Sequence, residues 1–219
     1  MVGAAGDQSP HLMYRKAAEE RMRSLRKLSR LEEIARRIVP AVEETYEVVK
    51  KDRHADAVLL HKVEILSLPM RVITEAEYAQ AKAMHDKDAQ QITADPKAAD
   101  QLYMQMKWYE GVLERFEKQK SDPHPKYETE IHVLRLGDVA LCTSQFELFT
   151  DYGIRIQVRS KALQTFVIEL VGPGSYLPTE KAVRGGSYSA IAPSNLVGPE
   201  GGQMLVDRTV ELINSLWSN

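Results

Sequence analysis

The sequence is poor in the features that mark several common classes of protein. Its single cysteine, Cys142, excludes an internal disulfide and a cysteine-cluster metal site. Basic and acidic residues are nearly balanced, 29 Lys and Arg against 31 Asp and Glu, and the net charge of -2 argues against a nucleic-acid-binding protein. The apolar runs are far shorter than the roughly 20 residues that span a bilayer. Residues 1–10 lack the basic and apolar regions of a signal peptide, and the sequence does not indicate a cellular compartment.

The remaining pattern predicts a mixed α/β (α+β) fold. Helical periodicity alternates with β-branched runs, which is typical of one domain built on a mixed sheet flanked by helices. Helices are predicted over 25–51 with a kink or break at Pro40, and over 74–91, 95–120, 146–160 and 204–217. Residues 57–73 are predicted to form a strand pair or one long bent strand with a break at Pro69. A hairpin is predicted to turn at Gly137-Asp138, and a further strand is predicted over 164–171. Residues 172–202 are a long stretch punctuated by glycine and proline, and loops of that length are often functional.

The opening segment, Gly6-Asp7-Gln8-Ser9-Pro10, forms a turn that presents a hydroxyl beside a carboxylate. Ser9 followed by proline is a good start for a helix. The same geometry would hold the Ser9 hydroxyl where helix N–H groups stabilise negative charge. The residues by themselves favour the helix start.

Three further side chains are candidates for chemistry. Glu147 lies between Phe146 and Leu148, where it is either an exposed helix residue or a buried carboxylate that needs a cation. Tyr176 and Tyr188 lie in the long 172–202 stretch, where tyrosines usually pack the ring and hydrogen-bond the hydroxyl. The six histidines show no ligand spacing, and each is expected to be a surface or hydrogen-bonded residue.

Taken in order, these segments resemble the neutral ceramidase family, zinc-dependent amidases that cleave the N-acyl bond of ceramide. "GDQSPH" matches the family's Gly-Asp-x-Ser-Pro-Asn motif except at His11, "LRLGDVALCTSQFELFTDYGIRI" follows its hairpin and helix, and "GSYLPTEKAVRGGSYSA" repeats its tyrosine spacing. The resemblance implies Glu147 and Tyr176 as zinc ligands and Tyr188 as the group that polarises the substrate carbonyl. It implies Ser9 as acyl-accepting nucleophile or as a positioning residue, and Asp7 as the residue that holds the turn.

Two departures from the family qualify this expectation. The family's two zinc histidines precede the Gly-Asp-x-Ser-Pro turn and have no counterpart here, so residues 1–219 are expected to be the C-terminal part of a longer catalytic domain. The chain alone would then hold half a zinc site and bind zinc weakly, be inactive, and self-associate through exposed apolar surface. Val183 and Gly185-Gly186 also depart from the family pattern and put ceramide itself in doubt as the substrate.

Two other functions therefore stay open beside hydrolysis of ceramide or a related lipid amide in an intact, secreted or periplasmic parent. One is a metal-dependent hydrolase of a different amide or ester, which the changes at Val183 and Gly185-Gly186 favour. The other is a non-catalytic binding or structural domain that retains half the site, which the missing histidines favour.

Overall fold

The chain folds into two compact units in a computed structural model that describes residues 3–9 and 16–217. Among the described residues, 3–8 and 58–217 form the first unit, and 9 together with 16–57 form the second.

The second unit is helical. Helix α1 runs over Lys16–Leu25 and helix α2 over Arg30–Val49. Ser29 and Glu32 form a reciprocal capping box that satisfies free N–H groups where α2 begins. Pro40 lies inside α2 without dividing it, and the break in the helical pattern falls earlier, near Lys27, which has a positive φ of 57°.

The first unit is built on a four-stranded mixed sheet. Its strands are β1 (Leu59–Pro69), β2 (Lys126–Leu136), β3 (Val139–Thr143) and β5 (Gln164–Ile168), in the order β1-β2-β3-β5. The first two pairings are antiparallel and β3 pairs with β5 in parallel. The predicted hairpin at Gly137-Asp138 is confirmed, and Gly137 takes the positive φ that a tight turn requires.

Helices cover one face of this sheet. The unit contains α3 (Glu75–Ala94), α4 (Ala99–Ser121), α5 (Thr150–Arg159), α6 (Glu180–Gly185) and α7 (Pro199–Asn214). Leu68, Ile131 and Cys142 from the sheet join Tyr152 of α5 and Leu205 of α7 in the main core. The predicted α/β class with a mixed sheet flanked by helices is therefore confirmed.

Two predicted segments were wrong in detail. Residues 146–160 begin not as a helix but with a short strand, β4 (Glu147–Leu148), and the helix starts at Thr150. The 172–202 stretch is not one long loop, because it contains a second short strand, β6 (Tyr176–Leu177), helix α6 and the start of α7 at Pro199. Strands of two residues have no periodicity to read, and only their pairing with each other reveals them. Within the described residues, no helix is both long and apolar enough to span a bilayer.

Candidate functional site

The candidate site is organised by the two short strands. Strands β4 and β6 pair in parallel, with Glu147 opposite Tyr176 and Leu148 opposite Leu177. Both leucines are fully buried and anchor the strands in the core. Because neighbouring residues of a strand point to opposite sides, Glu147 and Tyr176 share the other side, where both are half-buried. Glu147 is therefore a strand residue beside a tyrosine, not an exposed helix residue.

Glu147 and Tyr176 also interact electrostatically. Burial, together with a hydrogen bond to the Glu147 carboxylate and the negative charge of that group, raises the pKa of Tyr176 to about 12. The phenol is therefore protonated at neutral pH. A carboxylate and a phenol side by side offer two oxygen atoms that could bind a cation.

Tyr188 lies next to this pair, in a short 3-10 turn over Tyr188–Ala190. Its ring meets the Tyr176 ring edge-on, with centroids 6.0 Å apart, and lies 5.6 Å from the ring of Trp108. An open cavity of about 570 Å³ adjoins Tyr188 and is lined by Met104, Gln105, Trp108, Tyr109, Tyr188 and Ile191. The exposed phenol of Tyr188 thus stands between the Glu147–Tyr176 pair and a largely apolar cavity.

Asn195 fixes the segment that carries Tyr188. Its fully buried side chain donates to the carbonyl oxygens of Ser189 (2.8 Å) and Tyr176 (3.3 Å), and its Oδ1 accepts from Arg71. Arg71 also donates to the Ala190 carbonyl at 2.7 Å. One amide therefore joins the Tyr176 strand to the Tyr188 turn. Sequence reasoning missed Asn195. The sequence indicates it only as a polar residue directly before two apolar residues in "SNLV".

The opening turn packs against the same strand. The Gly6 N–H donates to the Leu148 carbonyl at 2.7 Å. A Cβ on Gly6 would lie 2.4 Å from the Glu147 carbonyl oxygen, so only glycine fits this approach. The Asp7 carboxylate accepts from the Thr150 N–H (2.8 Å) and hydroxyl (2.6 Å) at the start of α5. Partial burial raises the pKa of Asp7, but the hydrogen bonds from Thr150 outweigh this effect and hold that pKa below its usual range.

Glu169 is a further carboxylate of the site that sequence reasoning missed. It is buried after β5 and accepts from the Leu148 N–H at 2.8 Å and the Ala5 N–H at 3.4 Å. Burial raises the pKa of Glu169, and the nearby charges of Glu147 and Asp7 add to that shift. Glu169 thus joins the opening turn to β4 through main-chain hydrogen bonds.

The structure brings together four of the five predicted site residues. Asp7, Glu147, Tyr176 and Tyr188 all belong to the first unit, whereas Ser9 is exposed and begins the second unit. Pro10 and His11, which complete the opening motif, lie outside the described residues.

His61 and His132 lie on the neighbouring strands β1 and β2. Pairing of β1 with β2 brings His61 Nε2 to 2.9 Å from His132 Nδ1, and His132 Nε2 lies 2.9 Å from a Glu130 carboxylate oxygen. This contact agrees with the expectation of surface or hydrogen-bonded histidines. In the part of the chain that the structure describes, no group of three or more His, Cys, Asp or Glu side chains could hold a metal ion. Glu147 and Tyr176 would fit zinc as two oxygen ligands, fewer than the three protein ligands of a typical catalytic site.

Comparison with known proteins gives limited matches. No family model matches the chain, and no curated protein matches it significantly. Part of the chain is similar to the crystal structure of neutral ceramidase from Pseudomonas aeruginosa, with 19% identity and a TM-score of 0.38 over 43% of this chain. A structure of ceramidase complexed with C2 has the same identity and TM-score over 44% of this chain. In both cases the matched region is 16% of the other protein's length.

Proposed function

We propose that the Glu147–Tyr176 pair is part of the active site of a hydrolase that cleaves the N-acyl bond of ceramide or a related lipid amide. The observation that carries the proposal is the pairing of a carboxylate and a phenol on adjacent parallel strands, with Tyr188 packed against the phenol ring. The resemblance of the motifs at Asp7, Glu147 and Tyr176 to the neutral ceramidase family supports the same chemistry.

In this proposal Glu147 and Tyr176 hold zinc together with ligands from the rest of an intact parent. Zinc would polarise the amide carbonyl and lower the pKa of a bound water towards about 7. Without a metal the Tyr176 phenol is protonated at neutral pH, and a phenolate would bind zinc more strongly than the phenol. The chain alone supplies two of the ligands, and we expect it to bind zinc weakly and to be inactive.

The other residues position the substrate. Tyr188 donates its hydroxyl hydrogen to the carbonyl oxygen as negative charge develops there, a contribution that typically changes kcat by about 10²–10³-fold. The family resemblance gives Ser9 the role of acyl acceptor or positioning residue, and Asp7 would hold the turn that precedes it. The largely apolar cavity beside Trp108 and Tyr188 suits a lipid chain.

A substrate other than ceramide is a second candidate. Val183 and Gly186, two of the positions that depart from the family pattern, line a neighbouring cavity of about 220 Å³ together with Ala190 and Ile191. A change of side-chain volume there would alter which acyl chain or head group fits. This observation favours a different amide or ester within the same hydrolytic chemistry.

The test is zinc content per chain, measured by elemental analysis after dialysis against equimolar zinc. We expect substoichiometric zinc in the natural sequence and its loss in Glu147→Gln. The control is His132→Ala, which removes the surface histidine pair and should leave the zinc content unchanged.

Either of two results would contradict the proposal. Zinc that disappears in His132→Ala but not in Glu147→Gln would assign the metal to the surface histidines. Full hydrolysis of a panel of lipid amides and esters by an intact parent that carries Glu147→Gln would remove Glu147 from the mechanism. Activity on esters or short amides but not on ceramide would select the second candidate.

A further inference from the structure

Helix α2 presents a continuous apolar stripe to solvent. Its six members are between 38% and 78% exposed, although they recur at helical spacing like the buried face of an ordinary helix. They are Leu31, Ile34, Ile38, Val42, Tyr46 and Val49. The hydrolase proposed above uses none of these residues. Large apolar side chains in one exposed row usually mark an interaction surface.

The stripe is symmetric about Pro40. Reversing the helix direction around this residue exchanges Leu31 with Val49 and Ile38 with Val42, while Ile34 exchanges with Tyr46. Ile38 and Val42 are each two residues from Pro40, about 200° around the helix, so Pro40 lies on the opposite, solvent side. A proline on the convex, solvent side of a curved helix is compatible with packing on the other side.

The charges have the opposite symmetry. Over equal lengths on either side of Pro40, residues 30–39 carry three basic and two acidic side chains, whereas residues 41–50 carry three acidic side chains and one basic, Lys50. An antiparallel partner places the basic half of one helix beside the acidic half of the other. A parallel partner places like charges together, which costs free energy.

We propose that α2 packs antiparallel against α2 of a second copy of this chain, around a two-fold axis that crosses the apolar stripe at the level of Pro40. The apolar stripes bury each other, with Leu31 of one chain against Val49 of the other and Ile38 against Val42. Arg36 and Arg37 pair with Glu33 of their own chain, and the symmetry places them at the level of Glu44 and Glu43 of the second copy. A self-complementary patch of this kind is what a two-fold symmetric dimer requires.

Disulfide trapping tests the direction of the two helices. Leu31 and Val49 are 18 residues apart in the helix, or about 27 Å. We expect a mixture of Leu31→Cys and Val49→Cys chains to form a mixed disulfide dimer under mild oxidation, whereas Leu31→Cys alone remains unlinked. The natural Cys142 does not interfere, because it is buried and burial raises its pKa to about 12. Equal linking of Leu31→Cys with itself would overturn the antiparallel arrangement.

Sedimentation equilibrium tests whether the stripe drives dimerisation. We expect Val42→Glu to weaken the dimer at least tenfold, and Val158→Glu, the same change at an exposed valine of α5, to leave it unchanged. Circular dichroism of each variant checks that the helices remain. A natural chain that is monomeric at tens of micromolar, or dimers that respond equally to both variants, would overturn the proposal. So would a monomer whose binding to phosphatidylglycerol vesicles is lost in Val42→Glu, because the stripe would then dock on lipid.

Discussion

At the scale of single residues, the opening turn shows how one missing side chain positions a site. Gly6 lies against the backbone of β4, and its N–H donates to Leu148, one residue after Glu147. The contact requires that residue 6 has no Cβ atom. It does not require a positive φ at that residue. The turn therefore fixes the strand that carries Glu147, and Gly6 and Glu147 are coupled through main-chain atoms.

We expect Gly6→Ala to destabilise the chain by about 2 kcal/mol, because the new Cβ meets a backbone carbonyl that cannot move aside cheaply. Gly3→Ala is the matched control in the same segment, since its nearest contact would be an ordinary 3.8 Å to the Val167 carbonyl. Urea unfolding of both variants measures the difference. Equal free energies of unfolding would show that the turn does not pack on β4.

Asp7 gives the same turn a dependence on pH. Its pKa is held below the usual value of 3.8 by Thr150, so its stabilising effect is complete above that pH and is lost as the pH falls through the lower folded value. We expect Asp7→Ala to cost about 0.5–1 kcal/mol at pH 7, because the group is exposed and solvent screens it. The cost should stay constant down to about the usual pKa of 3.8 and then shrink as the pH falls through the lower folded pKa of Asp7.

Thermal unfolding across this pH range measures the effect. Gln8→Ala is the control, because Gln8 also donates to the Thr150 hydroxyl but does not titrate. The ionic role of Asp7 would be contradicted if the difference in unfolding temperature between the natural chain and Asp7→Ala did not change with pH.

At the scale of elements, the segment with Tyr188 depends on polar side chains that hold its backbone. Asn195 is buried, donates to two carbonyls and accepts from Arg71, while Ser194 donates its hydroxyl hydrogen to the Tyr188 carbonyl. Arg115 donates to the Ala192 carbonyl at 2.6 Å. Burial lowers the pKa of Arg115 to about 10, which still leaves it charged at neutral pH. These contacts give a short irregular segment a defined position.

We expect Asn195→Ala to cost about 2–4 kcal/mol, because the Ser189 and Tyr176 carbonyls lose this donor and the Arg71 guanidinium loses one of its acceptors. Chymotrypsin should then cut after Tyr188 faster than in the natural chain, as the segment loosens. Ser187→Ala is the control, since Ser187 is exposed and makes no side-chain capping bond. Cleavage at Tyr188 that is equally fast in both variants would show that Asn195 does not hold the segment.

Element prediction succeeded where side-chain periodicity or turn chemistry is strong. The Thr74–Glu77 capping box begins α3 where the sequence predicts a helix, and Gly137 makes the predicted hairpin turn. It failed at β4 and β6, because a two-residue strand is defined by its partner and not by its own pattern. The assignment of Glu147 to a helix was wrong for this reason.

At the scale of the whole molecule, the sheet has one covered and one open face. Leu66, Leu68 and Ile131 point into the core, while Val63, Ile65 and Phe166, which alternate with inward residues, are 44% to 65% exposed. The sequence predicts exposed apolar surface, and the described residues show it on this sheet face and on α2. Self-association itself stays a prediction, with α2 as the surface proposed to carry it.

The sequence by itself determined the α/β class, most helices and the hairpin, because these follow from local periodicity and turn residues. Its motifs also led to Glu147, Tyr176 and Tyr188 as candidates. Only the tertiary structure decided that Glu147 and Tyr176 face each other, and that Asn195, Glu169 and Gly6 support them. Contacts between residues such as Gly6 and Glu147, 141 positions apart, depend on how the chain packs, and no local pattern encodes that packing.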